Sequence, residues 1–384
     1  MIPLAIPQMT GDEWTYLKEC IDSNFVSSIG PFVNRFEETV AREAGARAAI
    51  ATSSGSTGLH VALVAVGVKP GDLVIVPTFT FIASANAIRH CGADPWLLDI
   101  EEDWNLSVEQ LVEALYTKTH RLNGDLHHIG SGRRIAAIMP VYTLGSPANM
   151  DSITEVARSF SIPVVADAAA ALGSQYRGRP PAALGADLTV FSFNGNKTVT
   201  CGGGGAVCAD DISLMAHVRH LTTTARVGSN YDHDEAGFNY RLTNLQAAVG
   251  CAQLQQLTSF VAKKRKIAGI YRDAFAEVPG CKPFPVPQFV DSAFWLSGIY
   301  LENLEREKIP TLVMRMRDQG VDVRQFWKPV HLQKPYLQSP RENLSLAEKT
   351  WERVLPLPCS TSLTENDQLS VISIVKALLS QNDA

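Results

Sequence analysis

No stretch of this 384-residue chain holds the roughly 20 consecutive apolar residues that a helix needs to cross a bilayer, so no such membrane anchor is expected. Basic runs are missing as well. The 34 Lys+Arg against 39 Asp+Glu leave a formal charge of −5, and without a phosphate-neutralising patch no nucleic-acid partner is expected. Cysteine is sparse and unpatterned: the seven (Cys20, Cys91, Cys201, Cys208, Cys251, Cys281 and Cys359) are odd in number, scattered, and never spaced C-x-x-C. That argues against a disulfide framework or a thiolate metal site, and for reduced thiols in a cytoplasmic protein. Met1-Ile2-Pro3 leads at once to the polar Gln8, Asp12 and Glu13, so no secretory leader is expected there. Internal repeats and low-complexity segments are also lacking.

What is present is enough apolar material for a large core. Hydrophobic residues make up 46% and charged residues 19%, which excludes global disorder. Thr10 and Glu13 have capping-box spacing, with Trp14, Leu17 and Ile21 following at helical intervals; Phe32, Phe36 and Val40 mark a second helix. Short apolar runs at 48–51, 73–76, 96–100, 135–141, 164–166, 188–193 and 206–208 read as strands. Helical patterns at 59–66, 82–90, 108–116 and 153–160 lie between them. Strands alternating with helices predict an α/β fold, a mostly parallel central sheet covered by helices on both faces. The polar stretch 118–134, with Asn123-Gly124, Gly130 and Gly132, reads as a surface insertion, and 242–275 as one long helix. Prolines at 283, 285 and 287 mark a boundary. The expected division is a large domain over 1–278, opening with a substrate-side segment 1–30, and a smaller α+β domain over 279–384. In that smaller part a strand is expected near 295–301, a helix near 312–319 and a last helix from Glu365.

In open parallel sheets ligands sit beyond the carboxyl ends of the strands, and three segments point there. Thr52-Ser53-Ser54-Gly55-Ser56-Thr57-Gly58 joins a strand to a helix; its small residues, hydroxyls and helix N-terminus suit a phosphate, although alone it also reads as an ordinary capped turn. Asp167 directly follows the apolar Val164-Val165-Ala166, where a carboxylate needs a cation or donors; alone, it also reads as a helix cap. Lys197, in Asn194-Gly195-Asn196-Lys197 past the 188–193 strand, is placed to be desolvated toward its nucleophilic amine form, although most lysines are solvated surface charge. The three together are the parts of a pyridoxal phosphate site: a phosphate cup, a carboxylate for the ring nitrogen and a Schiff-base lysine.

These motifs resemble the DegT/DnrJ sugar aminotransferases of fold type I over nearly the whole chain. The phosphate turn is matched by Ser54-Gly55-Ser56-Thr57-Gly58-Leu59-His60, with Ser56 where threonine is usual. Pro77-Thr78-Phe79-Thr80-Phe81 matches the segment that lays an aromatic ring on the cofactor, and nominates Phe81. Asp167-Ala168-Ala169 matches the pyridinium partner; Ser192 and Lys197 match the phosphate hydroxyl and the Schiff-base lysine. Gly237-Phe238-Asn239-Tyr240-Arg241 matches a loop that enters the neighbouring subunit's site. The resemblance therefore implies a homodimer, with Asn239 on the partner's cofactor phosphate and Arg241 near its substrate. His331, in Trp327-Lys328-Pro329-Val330-His331, falls in a segment that relatives bring to the substrate, and stands equally as a packed histidine. The sequence departs from the pattern at Ala170, where relatives carry Gln, Glu or His, and at Cys201, where threonine is common.

The resemblance implies transamination from L-glutamate through the pyridoxamine form of the cofactor, with Lys197 and Asp167 as catalytic residues. Gly55, Ser56, Thr57, Phe81, Asp167, Ser192, Lys197 and Asn239 would bind the cofactor; Arg241 and His331 would bind substrate. The opening residues, Phe25-Val26-Ser27-Ser28-Ile29-Gly30, Asn194-Gly195-Asn196-Lys197 and the stretch from Ala225-Arg226 to His233 are similar to the branch making bacillosamine and legionaminic-acid precursors. This implies amination at C4 of UDP-2-acetamido-2,6-dideoxy-4-keto-glucose. A 3-aminotransferase on a dTDP- or UDP-3-keto sugar would use the same machinery. Related dehydratases replace the lysine with histidine, and a non-catalytic regulator would need a DNA-binding segment; neither feature is visible. No metal set is expected either. His217 and His220 lie three apart on a helix without a third ligand in view, His127 and His128 read as surface, and Trp295 and Trp351 as core.

Overall fold

The computed structural model describes residues 1–380. Its centre is a seven-stranded sheet. Asp94–Leu98, Leu73–Pro77 and Ile135–Ile138 pair in parallel. Parallel bridges Ile138↔Val164 and Val141↔Asp167 carry the sheet on to Val165–Asp167, which pairs in parallel with Leu188–Ser192. Gly205–Ala209 then runs antiparallel to Leu188–Ser192 and to Ala48–Thr52 at the edge. Only that one strand runs against the rest, because the chain enters it by a short loop after Ser192, whereas helices such as Gly55–Ala65, Ile82–His90 and Met150–Phe160 make the crossovers that parallel pairing needs.

Both faces of the sheet are covered. Leu73 and Ile75 enter one buried cluster while Val74 and Val76 enter another, the alternation of a strand with core on each side. Phe32, Phe36 and Val40 of the helix Pro31–Ala44 pack into the first. A third cluster lies under an antiparallel sheet of Cys281–Pro283, Ser297–Leu301 and Val354–Leu357. The helices Ile309–Asp318 and Glu365–Ser380 cover it, and it takes in Ile267, Tyr271 and Phe275.

Three local expectations are corrected, and the surface insertion gains a hairpin. The strand expected over 135–141 ends at Ile138. The expected helix over 242–275 is two, Asn244–Leu254 and Leu257–Phe275; the break at Gln255-Gln256 re-aims the second so that its far half reaches the third cluster. The insertion 118–134 contains a hairpin, Thr119–Leu122 with Asp125–His128. The first helix, Glu13–Asp22, has no Thr10 cap and shows its apolar stripe to the outside: Trp14 is 78% and Ile21 62% exposed. Polar partners choose its buried face instead. Gln253 Nε2 donates to Glu13 Oε1 at 2.5 Å, and Cys20 meets Asn244. All seven cysteines are free thiols, and among the described residues no helix is long and apolar enough to cross a membrane.

Candidate active site

The strand Ala48–Thr52 delivers Ser54 as the cap of the helix Gly55–Ala65. Ser54 Oγ accepts from Thr57 N, and Thr57 Oγ1 accepts from Ser54 N, both at 3.0 Å. This reciprocal box uses the Thr57 side chain for capping, and Thr57 is not on the cavity wall. The amides of Gly55 and Ser56 begin the helix without intrahelical acceptors. A Cβ on Gly55 would fall 2.8 Å from Ser192 Cβ, so only glycine lets the helix start come this close to the end of Leu188–Ser192. A hydroxyl, two free amides and a helix dipole thus share one cradle.

Asp167 ends its strand almost fully buried, 5% exposed. Ser84 Oγ donates to its Oδ2 at 2.7 Å and Ala169 N to its Oδ1 at 3.1 Å. Thr80 Oγ1 lies 2.9 Å from Ser84 Oγ. Burial pushes the Asp167 carboxyl up; the Ser84 hydroxyl, the Ala169 amide and the charge of Lys197 pull it back toward the anion.

Lys197 extends from the loop after Ser192, with its Nζ 3.6 Å from the centroid of the Trp295 ring. Trp295 is itself fixed by donating Nε1 to Asn196 O at 2.7 Å. The free surface of Lys197 opens onto the cavity, so the residue is only half-buried, yet the protein around that cavity still desolvates the ammonium. The amine is lowered to about 8 by burial, against an opposing pull from Asp167.

These groups face one cavity of about 540 Å³. Gly55, Ser56, Phe81, Asp167, Ser192 and Lys197, all nominated from the sequence, lie on its wall. An aromatic bank lines the same cavity, in which Trp327 lies 5.9 Å from Phe81, 5.9 Å from Trp295 and 4.5 Å from Phe326, centroid to centroid. A second cleft of about 1110 Å³, between Glu101, Arg265 and Phe289, contains none of the nominated residues and offers no nucleophile beside a buried carboxylate.

Besides Thr57, three nominated residues lie off this wall. Asn239 is exposed and bridges to Thr223. Arg241 bridges to Thr52, and its Nε is buried without a partner; neither reaches this chain's own cavity wall. His331 is buried, with Nδ1 2.7 Å from Thr78 Oγ1 and Nε2 3.0 Å from Glu348 Oε1. Both ring nitrogens are engaged by these partners, and the geometry within this chain fits the packed alternative for His331. Ser84, Thr80, Trp327 and Arg324 were not nominated, and Trp295, read as core, forms part of the wall. Ser84 stands 83 residues before its carboxylate, and no local pattern links the two.

The family model of the DegT/DnrJ/EryC1/StrS aminotransferases matches residues 7–376. The chain is 37% identical to a GDP-perosamine synthase of Caulobacter vibrioides, over 98% of each chain. It is 36% identical to the putative pyridoxal phosphate-dependent aminotransferase EpsN of Bacillus subtilis, over 97% of this chain and 95% of the relative. The crystal structure of the aminotransferase TlmJ from Streptoalloteichus hindustanus superimposes with a TM-score of 0.89 at 28% identity, covering 100% of both chains.

Proposed function

The chain belongs to the DegT/DnrJ/EryC1/StrS aminotransferase family, and from that membership we propose that it moves an amino group from L-glutamate to C4 of a nucleotide-linked 4-keto-6-deoxy sugar, with pyridoxal phosphate as cofactor. One observation carries the reading: Asp167 and Lys197 face a single cavity whose wall also holds the cradle of Gly55, Ser56 and Ser192. The donor set fits the cofactor. The two free amides and the Ser192 hydroxyl would hold its phosphate, the Asp167 carboxylate would keep its ring nitrogen protonated, and Phe81 would lie against its ring. When bound, pyridoxal phosphate supplies an electron sink for the pair left at the substrate carbon. Lys197 holds the cofactor; once free, it moves the proton at that carbon, a task for which an amine near 8 is suited. The aromatic bank of Trp295, Trp327 and Phe326 excludes water from the Lys197 side. In this reading residues 1–278 carry the cofactor and the smaller domain, from residue 279 on, closes the cavity.

Asn239 and Arg241 would serve the site of a second copy. The exposure of Asn239 and the unpaired Nε of Arg241 support that assignment, and a dimer is the smallest closed assembly. An active monomer would overturn it.

For the nucleotide, two readings stand. The N-terminal residues and those around Lys197 favour UDP-2-acetamido-2,6-dideoxy-4-keto-glucose, whereas the relative named GDP-perosamine synthase favours a GDP-linked 4-keto-6-deoxy sugar. The test is a half-reaction. Protein converted by glutamate to the pyridoxamine form is offered UDP-, GDP- and dTDP-linked 4-keto sugars and a 3-keto sugar, and the cofactor absorbance is followed. Fast return with a 4-keto sugar supports the proposal and names the nucleotide. Return only with the 3-keto sugar moves the reaction to C3, and glutamate without effect on the absorbance overturns the reading.

A further inference from the structure

The helix Ile212–Thr222 carries His217 and His220 three residues apart, and no third ligand is visible in the sequence. The fold supplies one. Thr224 and Ala225, at φ 64° and 52°, turn the chain back along the helix. The ribbon of Arg226–Val227 paired with Asp232–His233 then brings Asp234 and Glu235 against the two rings. His220 Nε2 lies 2.6 Å from Asp234 Oδ1, and His217 Nε2 lies 3.2 Å from Glu235 Oε2. The ligand atoms of His220, Asp234 and Glu235 all fall within 4.8 Å of one another. We propose that His220, Asp234 and Glu235, with His217 as fourth donor, form a site for a divalent transition metal of the zinc class, apart from the catalytic cavity.

The donor chemistry selects the ion. Two neutral imidazoles and two carboxylates carry a charge that one divalent cation cancels, and ring nitrogens favour zinc, cobalt or nickel over magnesium or calcium. Tetrahedral ligands about 2.1 Å from a metal stand about 3.4 Å from each other, inside the spread of the His220, Asp234 and Glu235 ligand atoms; His217, now beside Glu235, would have to turn in to complete the shell. As two separate ion pairs, these groups would contribute little, because their side chains are 26% to 58% exposed. A metal joins both pairs through one atom and pins the ribbon to the helix just ahead of Asn239 and Arg241.

The test uses untagged holoenzyme, stripped with EDTA and desalted, titrated with zinc chloride in a calorimeter and with cobalt chloride in a spectrophotometer. Expected are about one equivalent per chain and tetrahedral cobalt bands without thiolate charge transfer. Zinc should also slow amide exchange over 224–238. H220N and D234N should each weaken binding by about a hundredfold or more, since even groups behind the ligands carry 10–100-fold, while H127N leaves it unchanged. Asp234 is exposed, so D234N tests the site without threatening the core. No saturable binding, or binding that H220N and D234N leave intact, overturns the proposal.

Discussion

Two lysines of this chain are enclosed by protein, and the groups around them differ. Lys264, 3% exposed, donates to Trp295 O at 2.9 Å and to Cys359 O at 2.6 Å, and so ties the helix Leu257–Phe275 to the wall of the cavity. Lys197 has a ring face, the field of Asp167 and open space. Burial lowers both amines. In one place desolvation is offset by carbonyls that fix the nitrogen; in the other the amine stays free to react. Low basicity therefore does not identify a reactive lysine, and its surroundings do.

The largest expected effect breaks the pair apart. Lys197→Ala should lower turnover by at least about 10⁴-fold with the urea midpoint little changed. Lys264→Met should do the reverse: activity within a few-fold, and a stability loss of about 2–4 kcal/mol from two carbonyls left without a donor. Steady-state rates and urea unfolding on both variants check this. Equal losses of activity would mean that Lys264 takes part in the chemistry.

Next comes the carboxylate that separates the two sites. Asp167→Asn should cost about 10²–10³-fold in turnover, the range for a lost electrostatic contact at reacting atoms. Ser84→Ala should cost about tenfold, because the hydroxyl acts on Asp167 and not on the substrate. If single-turnover rates rank Ser84→Ala with Asp167→Asn, Ser84 touches the reaction directly.

The same contrast explains how much was legible in the sequence. Ser192 is named by the family resemblance alone. Asp167 and Lys197 can be placed because one stands at the end of an apolar strand and the other in the loop after one, and strand ends in a parallel sheet share one edge. Their supports cannot. Ser84 reaches Asp167, and Trp295 reaches Lys197, across 83 and about 100 positions, and local periodicity carries no such distance. The first helix is where its spacing put it, but the face it buries was not legible for a related reason: Trp14 and Ile21 are exposed, and the buried face is chosen by Gln253 and Asn244, which belong to a helix more than 200 residues on. His331 had a suggestive neighbourhood and lacked a free nitrogen, because Thr78 and Glu348 hold both.

The smallest expected effect is the most direct measure of the difference between the lysines. An amine at about 8 leaves about a tenth of Lys197 neutral at pH 7, against well under one in a thousand for a lysine at the ordinary ~10.4. Labelling of the cofactor-free protein with formaldehyde and a mild borane, read peptide by peptide in a mass spectrometer, should show Lys197 reactivity rising with pH and levelling above about 8. Asp167 favours the ammonium by its charge. Asp167→Asn removes that charge, so the proton leaves more easily and the midpoint moves below about 8. Lys264→Met should leave it where it is, because the carbonyls that hold Lys264 exert no pull on Lys197. An upward shift in Asp167→Asn would mean that this carboxylate acts on Lys197 through packing, and the electrostatic coupling between Asp167 and Lys197 would have to be given up.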